Sequence, residues 1–454
     1  MNEIFRKPTL DAELPTGAPV NLSRRGFLLA SAGATAGALV IGFGIPVRQA
    51  RSQDAAAKIV PGTRVPAFLE IRPDNTARLM SPFVEGGQGI FTAMAQIVGE
   101  ELDLDPSSFT VENAPAGPDY QVILNGMRIT GGSMSTRLSY NTMRRIGASA
   151  RQMILQASAA RLGVPVADLT TEPGRVIHAA SGRSLSYGEV AADALDLPVP
   201  APDSVTLKEK SQFRWIGKPV QRVDARDKSI GKAIYAIDCK VDGMLHAAVQ
   251  HAPRLGMHVG TIRNEEAVKA MKGVHSVHRL PGAVAVVAER WWTAKRAAEA
   301  LQIDWQEANG NSAVEGGRIM PADFSTAAFA DRLAAEPGNG KDAENEGDAA
   351  RILASASDVV SSTYRSQYLY HAQLEPPSAL ARFNDDGSLD VWMPNQAPEI
   401  FQADIAKLTG LDPARINIHS PLLGGFFGRH FLYVAGSRIA KPYSLPKNPA
   451  VRSN

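Results

Sequence analysis

Two glycine-framed stretches carry the residues best suited to chemistry in this chain. "EGGQG" sets Gln88 between Gly87 and Gly89, and "LLGGFFGRH" sets Phe426 and Phe427 among Gly424, Gly425 and Gly428. Glycine permits positive φ and lets backbone N–H groups crowd an anionic or carbonyl-rich ligand. A glutamine amide carries donor and acceptor on one plane, which suits the edge of a heterocycle or a metal-bound oxygen. Aromatic rings in such a loop can wall a flat substrate. A tight turn explains either loop equally well. "HAQLE" places His371 and Glu375 four apart, but Pro376 and Pro377 forbid helical backbone at the glutamate. An ordered loop held by side-chain hydrogen bonds fits that stretch better than a metal pair. No G-x-x-x-x-G-K-[ST] loop and no H-E-x-x-H motif occurs in the sequence.

The elements that must hold these loops follow from periodicity. "FLEIRPDNTARLMSPF" reads as strand, turn, strand, and "EGGQG" then opens a helix with Ile90, Met94, Ile97, Val98 and Leu102 on one face. Asp105-Pro106 ends that helix and "FTVENAP" follows as a strand. "PNQAPEIFQADIAKLTGLDPARINIHSP" repeats the phrase: Gln396 ahead of a helix, closure at Asp412-Pro413, then a strand. This predicts a pseudo-repeat. A third echo, "ILQASAARLGVPVADLTTEPGRVIH", lacks the glutamine.

"MRRIGASARQMILQASAARLG" predicts a further helix, and "LPVPAPDSV" a proline-rich boundary. From Trp215 to Trp305, strands ("KAIYAIDCKV", "GMLHAAVQHAP", "VHSVHRL", "AVAVVAE") alternate with short helices. "EPGNGKDAENEGDAA" reads as a mobile loop. "VVSSTYRSQYLYHAQLEPPSALARFNDDGSLDVWMP" resumes strands, with a hairpin turn at Asp385-Asp386-Gly387. The expected class is α+β, multidomain, with mixed sheets and packed helices.

Composition narrows the partners. Among 454 residues, 48 basic stand against 46 acidic, so the clustered charge that nucleic-acid binding requires is absent. Cys239 is the single cysteine, which excludes an internal disulfide and a Cys-ligated iron–sulfur cluster or zinc site within the chain. It reads as a small buried hydrophobe. Arg24 and Arg25 precede a weakly apolar, Gly/Ala-rich run to about Ile45. That is a twin-arginine export pattern, giving a leader over 1–57 cleaved between Ala50 and Ala57 and a periplasmic product. An uncleaved inner-membrane anchor is the competing reading.

In their order, "EGGQG…TAMAQIVGEEL…TGGSMST", "IGKPVQRVDARDKSIGKAIYAIDCKVDGMLHAAVQHAP", "HAQLEP", "NQAP" and "LGGFFGR" resemble the molybdopterin-binding large subunits of the xanthine dehydrogenase/aldehyde oxidase family. The isoquinoline 1-oxidoreductase beta type is nearest, over about Phe68 to Lys441. The resemblance implies an N-terminal cofactor-binding-like domain over 60–198, an α/β hammerhead-like domain over 215–306, a linker over 307–350, and the start of the main cofactor domain over 351–441. The tail 442–454 does not match. The implied cofactor is a molybdenum-pyranopterin, plain or as the cytosine dinucleotide. The implied reaction is water-derived hydroxylation of an aromatic N-heterocycle or oxidation of an aldehyde. Electrons would pass to a small iron–sulfur subunit, with a cytochrome as a further candidate partner.

By position, Gly87, Gln88, Gly89, Gly132 and Ser133 resemble pterin contacts, and Gln396 the glutamine beside the metal. Gly424, Gly425 and Gly428 match the glycine loop under it, and Phe426 and Phe427 would line the substrate pocket. No residue of the chain is a direct metal ligand in this reading. Phe426 stands where the family places a third glycine, which should crowd the loop. The family's general-base glutamate lies in a later region with no counterpart before Asn454. The resemblance therefore implies the front part of such a large subunit, inactive alone. A non-catalytic periplasmic binding or assembly module that reuses the fold is the rival reading.

Overall fold

The structure is a computed structural model. It describes residues 39–41, 68–117, 120, 128–307, 319–336, 338, 340, 344, 346–369, 372–425, 430 and 451–453. Phe426, Phe427, Gly428 and His371 lie outside the described residues, as does most of the leader and most of the charged stretch 337–345.

Strands β1 (Leu39–Ile41), β2 (Leu69–Ile71), β3 (Ala77–Ser81) and β4 (Phe109–Asn113) form one sheet in that order. Residues 39–41, assigned from sequence to the leader, thus pair antiparallel with β2 as an edge strand. In β3, Ala77, Leu79 and Ser81 face the core and alternate with half-buried Arg78 and Met80. The β2–β3 turn is closed by Asp74, whose carboxylate accepts from the Thr76 amide at 3.0 Å and hydroxyl at 2.6 Å. Helix α1 (Ile90–Leu102) buries the apolar face expected of it and returns the chain to β4, parallel to β3. Between them, Asp105 accepts from the Ser107 N–H at 2.8 Å in a proline-led 3-10 turn.

Helix α2 (Met134–Leu162) lies across α1. The two approach so closely at Gly147 that a Cβ there would overlap the Val98 carbonyl and sit 3.0 Å from the Glu101 Cβ. A small sheet of β5 (Leu169–Glu172), β6 (Arg175–His178) and β7 (Arg183–Ser186), with helix α3 (Tyr187–Ala194), completes this core.

The segment that follows the proline-rich boundary is strapped to α1 by carboxylates. Fully buried Glu100 accepts from the amides of Arg214, Trp215 and Ile216 at 2.7–3.0 Å. Its neighbour Glu101 accepts from Lys208 N. After the short helix α4 (Ala225–Ser229), the stretch predicted as strand 232–241 is instead a 3-10 turn, Ala236–Asp238. Asp238 folds back to accept from the Tyr235 amide, which breaks the alternation. Cys239 is accordingly half-buried rather than buried, its thiol 3.5 Å from the Tyr235 carbonyl.

Next come β8 (Leu245–His251), β9 (His258–Ile262), helix α5 (Glu265–Lys269), β10 (Val274–Leu280), β11 (Ala283–Ala288), helix α6 (Trp291–Glu299) and β12 (Ile303–Gln306). Wholly buried β11 is covered by the alanine face of α6. Helices α7 (Thr326–Ala335) and α8 (Ala349–Ser355) bury no residue. The strand expected from Val359 does not form: among the described residues, 357–369 have no backbone pairing.

The predicted repeat then appears in three dimensions. β13 (Ala379–Phe383) and β14 (Leu389–Trp392) form a hairpin, helix α9 (Pro398–Thr409) follows, and β15 (Ile416–His419) runs parallel to β14. Asp386 closes the hairpin through Ser388 as Asp74 does through Thr76. Asp412 accepts from the Ala414 N–H at 2.8 Å as Asp105 does from Ser107. Residues Val451–Ser453 form β16, between β8 and β13, so one sheet runs β10-β11-β8-β16-β13-β14-β15. Among the described residues, no helix is long and apolar enough to cross a membrane.

Gly147→Ala should push α1 and α2 apart and cost about 1–3 kcal/mol, the usual penalty of overpacking. A lowered urea midpoint with an unchanged slope is the expected readout.

Candidate functional site

Both glutamines occupy the same place in the repeat, the loop between the C-terminal end of a parallel strand and the following helix. That is where α/β units place ligands. The two loops are tied together through Thr130. Its hydroxyl accepts from Val84 N at 3.0 Å, and its backbone N–H donates to the Gln396 carbonyl at 2.8 Å. The Gln396 amide donates back to the Thr130 carbonyl at 2.7 Å and accepts from His430 N at 3.1 Å. Buried His430 reaches the Gly425 carbonyl at 3.2 Å. Residues from four distant stretches of chain thus form one hydrogen-bonded chain: Val84, Thr130, Gln396, and His430 with Gly425.

Beneath "EGGQG" lies Glu85, fully buried. Its carboxylate accepts from the amides of Gly87 (2.8 Å), Gly89 (3.2 Å) and Phe91 (3.1 Å), filling the anion position at the N-terminus of α1. Arg222 at 3.0 Å and Lys228 at 3.5 Å neutralise it, and both also bind Asp224. Burial pushes the Asp224 carboxyl up, but hydrogen bonds from Arg222 and Lys228 outweigh that and hold it at about 2. Gln88 is exposed, yet its amide turns inward, accepting from Gly86 N at 2.8 Å and donating to the Val84 carbonyl at 2.9 Å. The amides of Gly86, Gly87, Gly89 and Phe91 are therefore taken up within the protein and are not free to cradle an anion.

The open donors lie opposite. Gly132 and Ser133 are exposed and lead into α2 at φ 58° and 56°, with no side chain capping the helix. Positive φ at a serine is strained backbone of the sort found at binding sites. Gly424 sits against Glu375, so a Cβ there would overlap the glutamate's own. Glu375 is buried and accepts from Gly424 N at 2.7 Å and Ile237 N at 2.8 Å. Residues 372–375 are thus a non-helical loop held by its glutamate. Among the described residues, no group of three or more His, Cys, Asp or Glu is placed to hold a metal ion.

The residues fit a pterin in their chemistry. Each glutamine amide retains an N–H and a lone pair. Two buried polar atoms, Asn395 Oδ1 next to Gln396 in sequence and Gln373 Nε2 two residues before Glu375, have no hydrogen-bond partner among the described residues. The uncapped start of α2 suits a phosphate. Elsewhere, a cleft of about 360 Å³ opens between β4, residues 223–234 and residues 420–422. None of the sequence-selected residues lines it, and it shares Phe91, Asp224 and Lys228 with the cluster under the loop. Sequence reasoning missed Glu85, Thr130, Arg222, Glu375 and His430 as parts of this framework. All five stood inside quoted motifs, but nothing local marked their roles, since partners such as Arg222 for Glu85 and Gln396 for Thr130 lie far along the chain.

Glu85→Ala should leave the amides of Gly87, Gly89 and Phe91 without their acceptor while Arg222 and Lys228 keep Asp224, costing about 1–3 kcal/mol. Asp224 stabilises the fold fully above its unfolded value near 3.8, and that contribution is lost as pH falls toward about 2. The stability gap between wild type and Asp224→Asn should therefore close over that window in acid titrations of urea unfolding.

Family models for the molybdopterin cofactor-binding domain match residues 29–268 and 334–440. The beta subunit of isoquinoline 1-oxidoreductase from Brevundimonas diminuta is 30% identical over 90% of this chain and 56% of its own length. The B subunit of nicotinate dehydrogenase from Pseudomonas putida is 32% identical over 80% of this chain and 30% of its own length. A membrane-bound aldehyde dehydrogenase of Gluconacetobacter polyoxogenes, its name specifying pyrroloquinoline-quinone, is 29% identical over 90% and 52%. The chain thus spans about half or less of these relatives. On the two domain matches, the chain belongs to the molybdopterin cofactor-binding domain family, and it is similar to the proteins named above.

Proposed function

We propose that this chain supplies the cofactor-binding framework of a molybdenum hydroxylase large subunit acting on aromatic N-heterocycles or aldehydes. The observation that carries the reading is the joint made by Thr130 and Gln396. Its hydrogen bonds link the segments that carry "EGGQG", "TGGS", "NQAP" and the Gly424 bend, which supports the reading that they share one site. When bound, a molybdenum-pyranopterin supplies the two-electron redox centre for hydroxylating an electron-poor carbon.

The chain's own residues bind and orient that group. Gly87, Gln88 and Gly89 form one wall, shaped from below by Glu85. Gly132 and Ser133 offer N–H groups to a phosphate. Gln396 holds its amide plane fixed by its two hydrogen bonds, and Gly424 and Gly425 floor the site. Gly428, Phe426 and Phe427 lie outside the described residues and keep in this proposal the roles that the resemblance implies. None of the described residues is assigned as the general base. A small iron–sulfur subunit is the electron acceptor in this proposal, since the chain has one cysteine. Export through the twin-arginine route places the protein in the periplasm, and Arg24→Lys/Arg25→Lys should retain it in the cytoplasm.

The test is the cofactor itself. Protein purified from a molybdenum-cofactor-competent host should carry molybdenum and release a fluorescent pterin on oxidation. Gln396→Ala should lower occupancy about tenfold or more, having lost two buried hydrogen bonds. Gly424→Ala should act likewise, through its clash with Glu375. Recovery of a quinone and no pterin would sink the proposal.

A further inference from the structure

Strand β4 ends its sheet, and no described strand lies along its outer side. The Ala114 N–H donates to the Ser81 carbonyl at 2.8 Å, so the even-numbered residues of β4 turn their backbone groups toward β3. Backbone direction alternates along a parallel ladder, so the N–H and C=O of Val111 and Asn113 point the other way. None of these four groups has a hydrogen-bond partner among the described residues. Along this outer side runs the cleft of about 360 Å³, which every residue from Phe109 to Asn113 lines. A bare strand edge is a template for a further extended chain.

The opposite wall is fixed in place and carries both apolar surface and charge. The Asn113 side chain donates to the Ser420 carbonyl at 2.7 Å and ties residues 420–422 to the end of β4. Leu422 N in turn donates to the Ile234 carbonyl at 3.2 Å. Ile234 lines the cleft and is 55% exposed. Asp224 and Lys228 are paired to each other at 2.5 Å, whereas Asp227 and Lys232, also on this wall, make no ion pair among the described residues. The cleft therefore offers an amide edge, an apolar wall, one cation and one anion. A short peptide with free ends carries the complement of each. We propose that this cleft binds a short extended peptide: its backbone adds to β4 at Val111 and Asn113, its carboxylate meets Lys232, its ammonium meets Asp227, and an apolar side chain covers Ile234 and Leu422. Strand addition of this kind takes affinity from main-chain hydrogen bonds and specificity from alternate side chains. The volume is at the small end of ligand sites, which suits a di- or tripeptide and not a long strand. The inference does not rest on the catalytic proposal, since none of these residues is assigned a role there.

The full chain is titrated with the tripeptide Ala-Val-Leu, its ends free, and followed by calorimetry and amide hydrogen exchange. The expected result is saturable one-to-one binding in which the Val111 and Asn113 amides exchange about tenfold more slowly than in the lone chain. Val111→Pro removes an outward N–H and leaves the bonds to β3, a change that an edge strand tolerates. It should abolish binding while leaving the circular dichroism unchanged. Lys232→Ala, at an exposed position, should weaken binding about threefold. Amidating the peptide's C-terminus should erase that difference. Four results would overturn the inference: no saturable binding, binding with unchanged exchange at Val111 and Asn113, binding that survives Val111→Pro in a folded variant, or equal binding of the same peptide acetylated and amidated. Absence of bound pterin, measured separately, would count against the catalytic proposal alone.

Discussion

Buried carboxylates that accept backbone N–H groups are the interaction on which the rest of this structure depends. Glu85 takes amides of its own loop, Glu100 those of 214–216, and Glu375 those of Ile237 and Gly424. In each case the chain is irregular where the amides fall, so no ladder or helix could satisfy them. A buried carboxylate would be prohibitive without such partners, and the amides would be costly without the carboxylate. The interaction fixes both at once. It explains how loops rich in glycine and proline hold one conformation next to a site.

The second organising fact is the repetition of strand, hairpin, strand, helix and parallel strand in 69–113 and 379–419. Each copy carries an aspartate-closed hairpin, a glutamine loop and an Asp-Pro turn. The copies have diverged at the glutamine itself. Gln88 is exposed and folds onto its own loop, whereas Gln396 is buried and serves as the bolt between loops. One frame thus yields an outer wall and an inner support.

Much of this was legible in the sequence, because it was local. Alternation in Ala77–Ser81, the apolar face of Ile90–Leu102, and the Asp-Pro stops each depend on residues within one element. The repeat could be read from glutamine-to-proline spacing. What escaped was set by distant partners. Glu85 finds Arg222 across 137 positions, and Gln396 finds Thr130 across 266. The misread strand at 232–241 has strand-like apolar residues, but Asp238 bonded to Tyr235 N outweighs them. The expected strand at 359–369 has the right pattern and no neighbour, and pattern alone does not make a strand.

The carboxylate of Glu85 closes the first glycine loop from within the same loop, so its shape does not wait for a visitor. Nothing need order there when a ligand arrives, and nothing need collapse when it leaves. Any ligand held there would be spared the entropic toll that a floppy glycine segment would levy. Discrimination there is then a matter of fit to a rigid surface rather than of mutual adjustment.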